Sequence, residues 1–200
     1  MTFTLYLIRH GEVHNPDHIL YGRLPDFHLS AEGQRQAQSA ALALAQQPLS
    51  AVYASPMLRA QQTAQIIAQP HRLALLTDER LNEVYTPHQG KKLADLEPIL
   101  FEVYEGNQPP YETLDAIRAR LRAFIEDMRQ RHVGQTIAAV THGDLVVLAF
   151  LMAVGYLGQD IGRTKLISLG LPERYPATAS LLRLHYADDH TLTWHYQRPY

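Results

Sequence analysis

An apolar run, Leu5-Tyr-Leu-Ile, stops on Arg9-His10-Gly11, and a second, Ile137-Ala-Ala-Val-Thr, stops on His142-Gly143. Short apolar runs of this kind read as strands buried in a sheet. In an open α/β sheet the carboxyl ends of such strands border the crevice where ligands bind, so residues distant in sequence meet there. Two imidazoles and a guanidinium at one crevice point to an anion site with a nucleophile in it.

The rest of the chain supplies strands and helices in alternation, the mark of a layered α/β domain. Residues 2–8 read as the first strand and His10 to Ser30 as a long loop rich in Gly, Pro, Asp and His. A loop of that length in a compact domain is more often functional than idle. Ser30 is suited to cap a helix running to about Gln46, whose Ala37, Ala40, Ala41 and Leu44 share one face. A strand at 51–54 leads to a helix that Pro56 starts and Ala68 ends, and a third strand spans 73–77. The spacing of Leu114, Ile117, Leu121, Phe124, Ile125 and Met128 predicts a helix over 112–131, with its stripe in the core. A central strand at 136–141 and a buried helix at 145–154 follow. Residues 156–175 read as loop, and 179–185 with 191–196 as an edge hairpin turning at Asp188-Asp189. We expect one domain over residues 1–200.

His10 is the candidate nucleophile, because imidazole is unprotonated to a useful extent near neutral pH and forms a labile phosphoramidate. Arg9 beside it suits bidentate binding of a phosphoryl group, and Gly11 would let the backbone approach the anion. A lone strand-end histidine is usually packing; Arg9, Gly11 and the second pair at His142-Gly143 argue otherwise. Arg59, one turn into the helix after Ser55-Pro56, would add to the positive end of the helix dipole. Glu83 follows the third strand and, if kept protonated, would serve a departing alkoxide. Spacing alone does not choose between Asp78, Glu79 and Glu83.

The eleven histidines invite a metal reading, but no His-Glu-x-x-His pattern is present. His14, His18 and His28 lie in the long loop and suit a pocket wall; His185, His190 and His195 fall in the hairpin, where an exposed polar role is expected. The chain lacks cysteine, which excludes thiolate catalysis and cysteine-bound zinc. A net charge of −2 supplies no general field for nucleic acid or an anionic membrane. The N-terminus enters a strand without a leader-like segment, and the apolar stretch from Leu145 to Val154 is too short to span a bilayer. The expectation is a cytoplasmic protein.

Taken in order, these residues resemble the histidine phosphatase superfamily, which has the phosphoglycerate-mutase-like fold. The resemblance rests on Arg9-His10-Gly11, on Gly22 through Leu29-Ser30-Ala31-Glu32-Gly33 to Gln36-Ala37, and on Ser55-Pro56-Met57-Leu58-Arg59-Ala60-Gln61-Gln62-Thr63-Ala64. It continues with Leu81-Asn82-Glu83 and Thr141-His142-Gly143. It implies a three-layer α/β/α sandwich on a mixed, mostly parallel sheet. It also implies a phosphate pocket of Arg9, His10, Arg59 and His142, phosphoryl transfer to His10, and Glu83 as the acid, with no cofactor and no metal. Gly143, Asn15, Gly22 and Arg23 are its further substrate-binding candidates.

The sequence departs from the family pattern at Val13, where threonine is common, and at Asn15, which comes one position early and precedes Pro16. Glu83 is followed by Val84-Tyr-Thr-Pro-His88 rather than the mutase signature, and Gly90-Lys91-Lys92 stands where Gly-x-x-Glu-Gly is usual. The lysine pair is expected to be solvated. The expected function is a phosphomonoesterase acting on a small phosphorylated metabolite; the alternatives are a mutase-like phosphoryl transferase and a non-catalytic phospholigand-binding or signalling module. A homodimer and the role of the 157–175 segment are left open.

Overall fold

The computed structural model describes residues 2–99, 102–156, 158, 165–189 and 191–200. Residues 157 and 159–164 of the 157–175 segment, and His190, lie outside the described residues. Six strands form one sheet: β1 (Phe3–Arg9), β2 (Leu49–Ala54), β3 (Leu75–Thr77), β4 (Thr136–Thr141), β5 (Leu181–Tyr186) and β6 (Leu192–Gln197), in the order β3-β2-β4-β1-β5-β6. β1 to β4 are mutually parallel, whereas β5 runs antiparallel to β1 and β6 to β5. The sheet is mixed and mostly parallel, as expected, and the terminal hairpin forms one edge. Its strands begin one or two residues later than the alternation suggested.

Helices α1 (Ala31–Leu44), α2 (Leu58–Ala68), α3 (Leu114–Arg131) and α4 (Gly143–Ala153) cover the two faces. Alternation along the strands decides which side chain meets which layer. Leu5, Leu7, Ile137 and Ala139 point to the core shared with α3 and α4, while Ile8, Ala138 and Val140 point to the core shared with α1 and α2. Ala40 and Ala41 lie buried on α1 beside Ala60 and Ala64 of α2, side chains small enough for close helix packing. Hydroxyls cap two helices: the Gly33 N–H donates to Ser30 Oγ at 2.9 Å and the Ala116 N–H to Thr113 Oγ1 at 3.3 Å.

Two boundary differences matter for the site. Pro56 was expected to start α2, but the helix begins at Leu58 after a Met57 N-cap, so Arg59 lies in the first turn rather than one turn in. Similarly, α4 opens at Gly143 rather than Leu145, which makes His142 its N-cap. A glycine at N1 costs the helix little.

Candidate active site

The register of the sheet brings the site together. Arg9 pairs with Thr141 across the β1–β4 ladder, and the ladder continues as His10 N–H donates to the Thr141 carbonyl at 2.9 Å. On the other side of β4, Ser55 N–H donates to the Val140 carbonyl at 2.9 Å. His10, Ser55 and His142 thus leave three adjacent strands at one level. The same edge receives the first turns of α2 and α4, whose N-terminal dipoles favour an anion.

Glu83 arrives by a different route. After β3, Asp78 N–H donates to the Ala54 carbonyl at 3.0 Å, a short 3-10 turn follows over Glu79–Leu81, and Leu81 is fully buried. Thr141 Oγ1 donates to the Leu81 carbonyl at 2.7 Å, and Ser55 Oγ donates to Asn82 Oδ1 at 3.0 Å. These bonds tie the turn to the strand ends and direct Glu83 inward. Of the three carboxylates left equal by spacing, Asp78 pairs with Arg80 at 2.6 Å, Glu79 is exposed, and Glu83 faces the histidines.

At the centre is Arg59, 1% exposed. Its Nε donates to His10 Nε2 at 3.2 Å, and its Nη2 donates to the Gly22 carbonyl at 2.7 Å. Nη2 also lies 3.3 Å from His142 Nδ1 and 3.9 Å from Glu83 Oε2, and the guanidinium sits 4.6 Å over the ring of Tyr21. With Nε2 accepting, the proton of the neutral His10 ring belongs on Nδ1, which lies 2.7 Å from the Gly11 carbonyl. The same logic fixes His142, whose Nε2 lies 2.9 Å from Ser55 Oγ. Because that hydroxyl spends its proton on Asn82, His142 Nε2 is the donor and Nδ1 faces the site.

Burial first, then the Arg59 guanidinium, holds both imidazoles well below the usual histidine range, so both are neutral near pH 7. Glu83 moves the other way: enclosure, helped by the negative charge of Asp144, raises its carboxyl above the ordinary carboxylate value. Its Oε2 stands 3.4 Å from His142 Nδ1, and Oε1 accepts from the Val84 N–H at 3.0 Å.

Arg9 lies at the rim. Its Nη1 donates to the Pro176 carbonyl at 2.6 Å and its guanidinium lies 5.1 Å over the Tyr175 ring, while its buried Nε–H meets no acceptor among the described residues. Gly143 starts α4 beneath Tyr175; a Cβ there would come within 2.2 Å of the Tyr175 hydroxyl oxygen. Gly22 contributes its carbonyl to Arg59. The Asn15 amide closes its own loop onto the backbone of Ile19, at 2.9 and 3.2 Å, at the outer mouth of the cleft. Arg23 Nε donates to the Glu83 carbonyl at 2.7 Å and its Nη2 to Glu112 Oε2 at 2.8 Å.

Gly11 also has a different reason from the one its sequence suggested. A Cβ on it would lie 2.4 Å from the Gly33 carbonyl oxygen, so the first loop and the start of α1 approach too closely there for any side chain. Ser55, Asn82, Asp144, Tyr175 and Glu112 all touch the site or its supports without having been chosen from sequence. Asp144, immediately after His142-Gly143, was the one with a local signal. His14 and His18 do line the outer mouth of the cleft, where His14 stacks on His28 at 5.4 Å. In the hairpin, His195 is exposed, whereas His185 is half-buried with its Nδ1 2.9 Å from Thr4 Oγ1. That bond corrects the expectation of an exposed role.

The carboxyl edge of this α/β sandwich thus sets two buried imidazoles and a carboxyl group around one buried guanidinium, a fixed positive charge of the kind that can hold an anion. The sequence profile of the histidine phosphatase superfamily (branch 1) matches residues 5–193, and the chain belongs to that superfamily. A curated relative, the uncharacterised protein Rv0525 of Mycobacterium tuberculosis, is 41% identical over 145 residues, 69% of this chain and 72% of its own length. Phosphoserine phosphatase 1 of Hydrogenobacter thermophilus is 29% identical over 168 residues, 80% of this chain and 78% of its own. Among solved structures, Bacillus stearothermophilus YhfR superposes with a TM-score of 0.78 at 25% identity, covering 96% of this chain and 94% of that one. Among the described residues, no helix is long and apolar enough to cross a membrane.

Proposed function

We propose that the chain is a phosphomonoesterase that hydrolyses a small phosphorylated metabolite through phosphohistidine at His10. The observation that carries this reading is the tautomer at His10: Nδ1 is held on the Gly11 carbonyl, so the lone pair on Nε2 is presented beside the Arg59 guanidinium. Nε2 attacks phosphorus while Arg59, the unpaired Arg9 Nε–H and the first turn of α4 take the phosphoryl oxygens. The P–O bond to the alcohol breaks and Glu83 gives that oxygen its proton. In the second half, water attacks phosphorus, Glu83 takes the water proton, and the P–N bond breaks to return neutral His10 and orthophosphate. The opposed displacements of the His10 and Glu83 pKa values suit a neutral nucleophile beside a protonated acid.

The donor atoms of His10, Glu83 and His142 lie within 4.8 Å of one another and would suit a cation by distance alone. Arg59 argues against that use, because its guanidinium already faces the lone pairs of both imidazoles and the carboxylate with a fixed positive charge. Metal-independent catalysis is therefore the proposal. The absence of cysteine suits a reducing compartment, and the cytoplasm is the proposed location.

The test is phosphate release from para-nitrophenyl phosphate and a panel of sugar, nucleotide and glycerate phosphates, with and without EDTA. Turnover by the native enzyme that EDTA leaves intact is expected; turnover abolished by EDTA and restored by a divalent metal would replace the mechanism with a metal-dependent one.

A further inference from the structure

Beside His10 and Glu83 the site opens into a cavity of about 360 Å³, at the small end of the roughly 300–1,000 Å³ typical of small-molecule sites. Tyr21 lines it beside Arg59 and His10, and its walls farther out are Leu20, Val84, Leu93, Val103 and the Tyr175 ring, with Thr86, whose hydroxyl donates to the Val103 carbonyl. The cavity's charged lining among the described residues is Arg9, Glu83 and Asp144. Arg9 stands next to the nucleophile, where the phosphoryl group must sit. Tyr175 donates to Asp144 Oδ1 at 2.7 Å, and Asp144 lies in the first turn of α4, where the helix dipole offsets its charge.

The nearby lysines do not help an anion here. Lys91 Nζ lies 3.1 Å from His88 Nδ1, and Lys92 Nζ donates to the Asp17 carbonyl at 2.6 Å; both are exposed and neither lines the cavity. A second phosphate or a carboxylate on the substrate would therefore meet two carboxyl groups and an apolar wall. Burying an unpaired charge in such a place is costly.

Resting on the phosphatase reading, we propose that this cavity holds the alcohol part of the substrate and selects monoesters of uncharged, apolar alcohols or phenols, of mono- or bicyclic size. Polyanionic esters such as sugar bisphosphates and phosphoglycerates are then poor substrates. The walls come from the segment after Glu83 and from the first loop, which pair through the Ile19 to Lys92 bridge, so the pocket is part of the ordered fold.

The experiment measures kcat/KM for 1-naphthyl phosphate and 4-carboxyphenyl phosphate, phenolic esters of comparable leaving-group acidity. 3-Phosphoglycerate and hexyl phosphate extend the series. Contact of the apolar group with the walls should favour the naphthyl over the carboxyphenyl ester by about 10–100-fold, and hexyl phosphate over 3-phosphoglycerate. Leu93→Lys, at a half-buried wall position, should narrow the aryl ratio by at least about fivefold by giving the carboxylate a partner.

Equal or faster turnover of the carboxylate-bearing esters overturns the preference while leaving the phosphatase reading in place. An unchanged ratio in folded Leu93→Lys also overturns it, because the cavity would then not be where the alcohol binds. Failure of every ester with folded native enzyme overturns the phosphatase reading and the preference with it. His10→Ala, run on the naphthyl ester, separates turnover at this site from contaminating phosphatase.

Discussion

The two ends of the active-site cleft are built in opposite ways. At the phosphoryl end, His10, Arg59 and His142 are almost fully buried, come from strand ends or first helical turns, and bond to one another or to fixed backbone. At the alcohol end the lining comes from the long first loop, the segment after Glu83 and Tyr175, and its contacts are mainly apolar. Sheet register fixes the first end to the accuracy of a hydrogen-bonded ladder, whereas loop side chains shape the second. Changes at the phosphoryl end should therefore remove chemistry for every substrate, and changes at the alcohol end should reorder substrates.

The hardest test of that contrast is His10→Ala. It removes the attacking nitrogen and should lower kcat on the order of 10⁴-fold or more for aryl and alkyl esters alike. A loss confined to one class would mean that His10 belongs to recognition. Arg59→Met keeps the bulk but removes the central charge, and kcat/KM should fall by about 10²–10³-fold on every ester. Without the guanidinium, the imidazoles lose their second-largest depressing influence, so the acid limb of the rate profile should move toward higher pH. An unmoved acid limb would dissociate the guanidinium from the nucleophile's protonation.

Glu83→Gln sharpens the comparison, because the acid serves the bond between the two ends. Alkyl esters, with poor leaving groups, should slow by roughly 10²-fold or more and aryl esters by much less. The sign of the pH dependence follows from the raised carboxyl: protonated Glu83 is needed, so alkyl-ester turnover falls as pH rises through its value, which lies above the ordinary 4.5. The lowered His10 places the acid limb below the ordinary 6.5. In Glu83→Gln the alkaline limb should vanish while the acid limb stays; a retained alkaline limb would assign it to another group.

The smallest effect belongs to Glu112, a positioning residue. Its carboxylate accepts from Arg23, from Arg120 at 2.7 Å and from the Tyr85 N–H at 2.9 Å, and both arginines also reach the Glu83 carbonyl. Glu112→Gln should cost about 3–10-fold in kcat on alkyl esters and shift the alkaline limb. A loss equal on aryl esters with an unmoved limb would reduce Glu112 to general support.

Legibility from sequence followed the same division. The order of strands and helices, and the meeting of the two His-Gly ends, were readable because burial periodicity is local and strand ends share an edge. The hand-off from β3 to Glu83 was legible only through the family resemblance; spacing left Asp78 and Glu79 equal to it, because the Thr141–Leu81 and Ser55–Asn82 bonds that direct it inward join residues far apart in the chain. Asn15 and Arg23 carried polar groups in a suggestive loop, but their partners, Ile19 for the one and Glu112 and the Glu83 carbonyl for the other, were not readable from it. Tyr175 had no local signal at all; it reaches the site because Gly143 leaves room for its ring. The apolar run that signalled α4 begins only at Leu145, so its polar first turn, Gly143 and Asp144 after the His142 cap, was left out.

The central claim is covalent transfer to His10, and rapid-quench labelling tests it most directly. Native enzyme mixed with ³²P-labelled naphthyl phosphate should yield acid-labile, alkali-stable label on the peptide containing His10, formed and lost at rates compatible with turnover, and absent from His10→Ala. Turnover without such label, together with inversion at a chiral phosphorus, would show direct attack by water and contradict the account.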